Sequence, residues 1–266
     1  MKVEVIMSAY NNPRDLKLAL DSYVRQTYKN FSICIADDGS ESTIEALIKT
    51  YATLNIRHVW QEDKGFRKAK ILNKAIKTST AEYIIFTDAD CIASSMFIHD
   101  HMDQASSSHV VIGVRVYIKK KLSTKLRENR LDPIKLDSGV WLVVQSILGR
   151  LTKPEQALRY PDWSLPYLHK IKSSMVEFGS NIAIPMENLI QINGFDEDFQ
   201  GWGYEDSDLL RRLYLTGLTP KGEFGRCVQY HLQHKVNAEN DNALDMFMSK
   251  TKEKNIQCKH GINTLE

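Results

Sequence analysis

Three observations predict an α/β fold built on a mostly parallel sheet flanked by helices. Short apolar strand patterns alternate with amphipathic helix patterns through the N-terminal part of the chain. Turn-forming residues punctuate the strand ends, at Asn12-Pro13 and at Asp37-Asp38-Gly39-Ser40. The helix patterns between strands are long enough to return the chain to a parallel neighbour by right-handed crossovers.

The elements follow in order. Strands are predicted at 2–8, 31–37, 55–60 and 82–87, with helices at 14–26, 41–54 and 66–79 between them. A strand at 109–114 continues the sheet. Region 115–175 carries a basic stretch from Lys119-Lys120-Lys121 to Arg130, then an apolar segment from Trp141 to Leu148. These read as a solvated face and a core helix. The segment Phe178-Gly179-Ser180-Asn181-Ile182-Ala183-Ile184-Pro185 reads as a loop feeding a strand, and 186–192 as a short helix. On the next helix, 205–216, Leu209, Leu210, Leu213 and Tyr214 share one face, with Arg211 and Arg212 opposite. Arg226 to His231 is a further strand. The polar tail from about 236 contains a helix near 241–250.

Composition narrows the function. The 266 residues are 42% hydrophobic, enough for one large domain. A formal net charge of +2 gives no reason to expect a nucleic-acid partner. Cys34, Cys91, Cys227 and Cys258 are scattered without a Cys-x-x-Cys pair, which argues against a zinc or thioredoxin-like site. No apolar run reaches membrane-spanning length, and the N-terminus opens on a strand pattern rather than a signal peptide. The expectation is a cytoplasmic protein, with peripheral contact at the inner face of a membrane.

Two acidic clusters carry the chemistry. The first is Gly201-Trp202-Gly203-Tyr204-Glu205-Asp206, which leads into a helix. Acids at a helix N-terminus are stabilised by its dipole. Capping accounts for one acid, not for the Gly-Trp-Gly before it, which offers close backbone approach and a flat apolar wall. The second is Asp88-Ala89-Asp90, at the end of the apolar strand 82–87. Open α/β sheets bind ligands at the carboxyl ends of their strands. Two carboxylates projecting the same way repel unless a cation lies between them, and hard divalent cations take oxygen ligands. Alone, the same pattern is also a turn with two solvated acids. The segment Gln61 to Lys70 adds a glycine turn at Gly65 and basic groups, Arg67 and Lys68, at a helix start suited to phosphate.

With these motifs in order, the chain resembles inverting family 2 glycosyltransferases of the GT-A fold. The match runs through Ser8-Ala9-Tyr10-Asn11, Ala36-Asp37-Asp38-Gly39-Ser40 and Asp88-Ala89-Asp90. Its C-terminal part resembles β-1,4-galactosyltransferases, polypeptide N-acetylgalactosaminyltransferases and bacterial chondroitin-type polymerases. The pieces are Phe178-Gly179-Ser180-Asn181, Gly194-Phe195-Asp196, Gly201 to Asp206, and Tyr230-His231.

The resemblance implies a metal-dependent hexosyltransferase moving a sugar from a UDP-sugar to a glycan or lipid-linked glycan acceptor in surface polysaccharide synthesis. It implies a glycosyltransferase domain over 1–235, with a nucleotide-binding half at 1–114, an acceptor and catalytic half at 115–235, and a tail at 236–266. It places Ser8, Tyr10, Asp37, Asp38, Arg67 and Asp88 at the nucleotide, with Asp37 reading the uracil imide. Asp206 matches the general base, and Trp202, Glu205 and Gly179 the acceptor site. Asp90 and His231 match the metal ligands. Imidazole beside carboxylate favours Mn²⁺ over Mg²⁺. Where some galactosyltransferases place a methionine, three residues before that histidine, this chain has Val228. His234 is read as an ordinary surface histidine.

Two other readings compete. Haloacid-dehalogenase-type phosphatases also open on Asp-x-Asp after an apolar strand, but they lack Gly-Trp-Gly-x-Glu-Asp. A non-catalytic nucleotide-sugar or carbohydrate-binding module of the same fold would bind without turnover; intact Asp88, Asp90, Asp206 and His231 argue against it.

Overall fold

The computed structural model describes every residue except 166, 169–179, 223, 235–240 and 266. Gly179 therefore lies outside the described residues, as does Phe178 of the segment expected to be a loop.

The N-terminal half follows the predicted alternation: β1 (Val3–Ala9), α1 (Pro13–Val24), β2 (Phe31–Asp37), α2 (Thr43–Ile48), β3 (Ile56–Trp60), α3 (Lys68–Lys77) and β4 (Tyr83–Asp88). The helix expected over 41–54 stops early. Thr50 Oγ1 donates back to the Leu47 carbonyl, a local bond that competes with the helical ladder, and the chain continues in single turns. After β4 come β5 (Cys91–Ala93), α4 (Phe97–Gln104), β6 (His109–Ile112), β7 (Val114–Ile118), α5 (Lys120–Arg127), α6 (Gly139–Ile147) and β8 (Leu151–Thr152). The rest comprises β9 (Ile182–Pro185), α7 (Met186–Gln191), α8 (Glu205–Leu215), β10 (Thr219–Lys221), β11 (Val228–Leu232) and α9 (Asp241–Glu253).

A seven-stranded sheet runs β10-β6-β9-β4-β1-β2-β3. It is parallel except at β9, which lies antiparallel to both β4 and β6. The alternation of strand side chains sorts its two cores. Ile6, Ile84 and Phe86 pack toward α3 and α8 with Leu72, Leu209 and Leu213. Val5, Met7, Tyr83 and Ile85 face the opposite layer with Leu16, Leu20 and Tyr23 of α1.

The sequence reading merged two sheets into one. Gly113 breaks the 109–114 strand in two, and β7 leaves the large sheet to form a second one, β5-β11-β7-β8. Asn181 stitches the sheets together. Its amide donates to the carbonyls of Val114 and Cys227 at 2.9 and 2.7 Å, and its side-chain oxygen meets His101 Nε2 at 2.9 Å.

Three further features correct the expectations. Arg212 does not face solvent: it is 1% exposed, paired with the buried Asp208 at 2.7 Å, and donates to the Ile192 carbonyl. The segment 141–148 is helical, yet only Leu142 and Gln145 are buried along α6, while Val140, Val143, Val144 and Ile147 are exposed. Residues following α9 return to the core, where Ile262 joins the cluster around Leu72 and Phe195.

Candidate active site

Strand register brings the N-terminal motifs to one sheet edge. Ser8 of β1 lies beside Asp88 at the end of β4, and Ala9 beside Asp37 at the end of β2. Ser8 Oγ donates to Asp88 Oδ1 at 2.6 Å. Asp37 is fully buried; its carboxylate accepts from the Ser40 amide at 2.8 Å and lies 2.9 Å from His58 Nε2. Burial pushes its pKa up, but the bonds from His58 and Ser40 outweigh this and leave it below the ordinary value. Asp38 accepts from Gln61 Nε2 at 2.6 Å and from the Arg67 amide at 2.7 Å; burial still leaves its pKa raised. Tyr10 is half exposed and donates to Asp63 at 2.9 Å. The Arg67 guanidinium turns to the Glu62 carbonyl, so Arg67 meets the site through its backbone.

The second motif arrives by a separate route. Asn73 on α3 is fully buried; it donates to the Phe195 carbonyl at 2.8 Å and accepts from the Phe195 amide at 2.8 Å. A side chain at Gly194 would lie 2.4 Å from the Asn73 oxygen, so this clamp explains the glycine of Gly194-Phe195-Asp196. Lys250 of α9 pairs with Asp196 and Asp198, fixing the loop from its other side. The chain then makes a tight turn with Gly201, Gly203 and Tyr204 all at positive φ (88°, 116° and 68°). The Tyr204 ring stacks on Phe247 at 5.4 Å. The Gly201 amide donates to the Phe66 carbonyl, tying this turn to the Gly65 loop. Trp202 stays partly exposed beside it, and Glu205 and Asp206 open α8.

One cation joins the two motifs. Lys68 Nζ lies 3.4 Å from Asp88 Oδ1, from Glu205 Oε1 and from Asp206 Oδ2. Its side chain is only 16% exposed. Burial alone would lower its pKa, but Asp206, Asp88 and Glu205 hold it well above the ordinary lysine value. The carboxylates respond unequally. Burial lifts Asp88, and Lys68, Arg115 and the hydrogen bonds from Ser8 and Ser180 overcome that to hold it far below the usual range. At Asp206 burial wins: with Glu205 and Asp88 nearby, its pKa rises to about 6 despite Lys68.

A second cluster sits where the small sheet meets this edge. Asp90 Oδ2 lies 3.4 Å from His231 Nε2 on β11 and 3.0 Å from His234 Nε2. Burial keeps His231 below its ordinary pKa, against the pull of Asp90. The sheets are locked here: Gln229 accepts from Thr87 Oγ1 and donates to the Ser180 carbonyl, each at 2.9 Å. Asp88, Asp90 and Cys91 place ligand atoms within 4.8 Å of one another, so the two clusters are continuous through the Asp-Ala-Asp turn. The donor set fits a divalent cation, because one carboxylate and two imidazoles bring their ligand atoms within 4.8 Å of one another.

Asp88 and Asp206 are thus drawn together through Lys68, and Asp90 with His231, while Asp37 and Asp38 sit two strands along the same edge. Sequence reasoning ranked Lys68 below Arg67 and gave Arg115 and His234 no role. Arg115 had a legible signal: it interrupts the strand pattern Val114-Arg115-Val116-Tyr117-Ile118 on the face away from the core. His234 shares the spacing His231-x-x-His234, which ordinary surface histidines also show.

The fold is that of the GT-A glycosyltransferases. A crystal structure of S. aureus TarS, residues 1–349, superposes with a TM-score of 0.65 at 16% identity, covering 99% of this chain and 68% of that one. A mannosyltransferase from Pyrobaculum calidifontis, solved with GDP-Man and Mn²⁺, superposes with a TM-score of 0.57 at 18% identity, covering 95% of this chain and 62% of that one. Residues 4–165 match the model for glycosyl transferase family 2, and residues 162–235 match that for the N-terminal domain of galactosyltransferase. The chain belongs to glycosyl transferase family 2. Among curated relatives, the chondroitin synthase of Escherichia coli is 23% identical over 226 residues, 81% of this chain and 32% of that protein. The validoxylamine A glucosyltransferase of Streptomyces hygroscopicus subsp. jinggangensis is 26% identical over 238 residues, 81% of this chain and 52% of that protein. The chain therefore spans about a third to a half of these relatives' length.

Proposed function

We propose that this protein is an inverting, metal-dependent hexosyltransferase that moves a sugar from a UDP-sugar to a glycan hydroxyl in polysaccharide synthesis. The observation that carries the reading is the Lys68 bridge, which sets the strand-end carboxylate Asp88 and the helix-start carboxylate Asp206 on either side of one ammonium at 3.4 Å. A donor edge and an acceptor loop facing each other across a few ångströms are what a single displacement between two sugars requires.

Asp206 acts as the base. With a pKa near 6 it is mostly ionised at neutral pH and remains basic enough to take the acceptor hydroxyl proton. The acceptor oxygen bonds to the anomeric carbon as the bond from that carbon to the diphosphate oxygen breaks, so one displacement inverts the centre, as for inverting hydrolases with a sugar hydroxyl replacing water. Lys68 keeps Asp206 oriented and compensates its charge. Asp37, ionised and buried, accepts the uracil N3 hydrogen. Ser8, Tyr10, Asp38 and the Arg67 backbone line the nucleotide side, and Asp88 faces the ribose or diphosphate. Trp202, Glu205 and Gly179 serve the acceptor. Asp90 and His231 would hold Mn²⁺, or less favourably Mg²⁺, which when bound stabilises negative charge on the diphosphate as a Lewis acid.

Structural neighbours and curated relatives support the choice of a UDP-sugar donor and of polysaccharide synthesis. TarS has been crystallised with UDP and with UDP-GlcNAc, and the curated relatives include chondroitin and hyaluronan synthases. Among the described residues, no helix is long and apolar enough to cross a membrane. The exposed valines of α6 and the exposed Lys119, Lys120 and Lys121 suit peripheral contact with a membrane carrying a lipid-linked acceptor. The proposal includes the division of the chain into a transferase unit over 1–235 and a C-terminal segment over 236–266.

The test is a screen of nucleotide sugars for metal-dependent release of UDP. Release from one UDP-sugar, abolished by chelator and by Asp206→Asn when acceptor is present, is the expected result. Stabilisation by UDP-sugars with no turnover in any acceptor mixture would favour the binding-module reading.

A further inference from the structure

His234 lies beyond the end of β11, and nothing in the strand pattern aims it at the site. In an extended strand, residue 233 rather than 234 would share the face of His231. The strand instead ends at Leu232, whose amide donates to the Asp90 carbonyl at 3.0 Å. Gln233 is gripped from three directions. Its amide donates to Ser123 Oγ at 2.9 Å, its side-chain oxygen accepts from the Lys120 amide, and its carbonyl accepts from Arg127 Nη1 at 3.0 Å. Arg127 is itself held by two bonds to the buried Asp15, at 2.6 and 2.7 Å. The basic helix α5, read from the sequence as a solvated face, therefore fixes the residue that precedes His234.

Three ligand atoms come together beside it. Asp90 Oδ2, His231 Nε2 and His234 Nε2 are separated by 3.4, 3.0 and 3.3 Å. A circle through these atoms has a radius of about 1.9 Å, so a point about 2.1 Å from all three exists just off their plane, at the usual length of a metal–nitrogen or metal–oxygen bond. His234 is 41% exposed and the other two are largely covered, so protein holds one side of that point and the other side is open.

We propose that His234 is a third protein ligand of the cation, completing with Asp90 and His231 a set of two imidazoles and one carboxylate. This rests on the reading that Asp90 and His231 hold the cation of a glycosyltransferase. Three ligands on one side leave the opposite positions to diphosphate oxygens and water. A second imidazole also shifts selectivity away from Mg²⁺, which prefers an all-oxygen shell, toward Mn²⁺ and later transition metals.

The experiment needs no turnover. The full chain, stripped of metal and free of nucleotide, is titrated with Mn²⁺ while free Mn²⁺ is followed by its paramagnetic resonance signal. The same titration is run on His234→Ala, His234→Gln and His231→Ala, and metal-free thermal unfolding checks that each variant is folded. Both His234 variants should lose Mn²⁺ affinity by about tenfold or more, in the range by which disturbing a metal's ligand shell weakens it. Their Mg²⁺ affinity, measured by competition, should fall much less. Wild-type Mn²⁺ affinity in folded His234→Ala and His234→Gln would overturn the proposal, as would a wild-type chain that binds no Mn²⁺. His234-dependent Mn²⁺ binding in a chain that turns over no nucleotide sugar would leave the site standing and refute the transferase reading alone.

Discussion

Asp206→Asn should make the protein more stable and nearly inactive, with a pH signature for the gain in stability. Burial pushes the Asp206 carboxyl up to about 6 in the folded chain, against an ordinary value of 3.8. A raised carboxyl pKa means that the fold prefers the protonated form. Its stabilising contribution is complete below the unfolded value and disappears as pH rises through the folded one. A rise of that size corresponds to roughly 3 kcal/mol lost by neutral pH. Asparagine cannot ionise and escapes that loss, while Lys68 keeps Asp88 and Glu205 as partners. The stability difference between mutant and wild type should therefore grow by roughly 1.4 kcal/mol between about pH 5 and pH 8. Urea unfolding of both proteins at the two pH values measures it, and other titrating groups cancel in the difference. Turnover should fall by about 10²–10⁴ because no base remains. A difference independent of pH, or a mutant less stable at pH 8, would refute the argument that burial and like charge load this carboxylate. Near-normal transfer would move the base to another group, with Glu205 the first to test.

The remaining predictions concern the groups around Asp206. Lys68→Met removes the cation that opposes the rise in the Asp206 pKa, so the acid limb of the kcat/KM profile, near pH 6 in the wild type, should move up by about a unit or more; an unmoved limb would show that the limb does not belong to Asp206. Asp37→Ala should weaken UDP binding by about tenfold and erase any preference for UDP over CDP, read by calorimetry with both nucleotides, because cytosine has no N3 hydrogen to donate; equal affinities in the wild type would dismiss the assigned role. His231→Ala deletes a nitrogen ligand without touching the base, so Mn²⁺ and Mg²⁺ activation curves should draw together; superimposable curves for mutant and wild type, or full activity in chelator, would remove His231 and the metal from the mechanism.

The parallel N-terminal half was legible because its signals are local. Strand alternation, helix periodicity and turn residues each lie within a few positions, and β1 through β4 fall where they were expected. The second sheet was not legible. Of its four strands, β5 and β8 have only three and two residues and β11 comes from far along the chain, and what separates β7 from β6 is the fit of Gly113 against Asn181, a contact between residues far apart in sequence. Arg212 was misplaced for a similar reason. Periodicity counts it as polar, but Asp208 one turn earlier and the Ile192 carbonyl satisfy its guanidinium inside the core. The site shows the same division. Asp88 and Asp206 announce themselves by motif, whereas Lys68 is one of many lysines until the fold sets three carboxylates around it. A buried ammonium is costly without partners, and so are three carboxylates crowded together. Each half of this arrangement stabilises the other, so the cation can be recognised only once the acids have been brought together. Lys68 and Arg115 act on both carboxylates, so the unequal result, with Asp88 held ionised and Asp206 raised to about 6, follows from their other neighbours: Ser8 and Ser180 donate hydrogen bonds to Asp88, while the like charges of Glu205 and Asp88 add to burial at Asp206. Two chemically identical side chains thereby acquire different work, one as a fixed negative wall and the other as a group able to accept a proton.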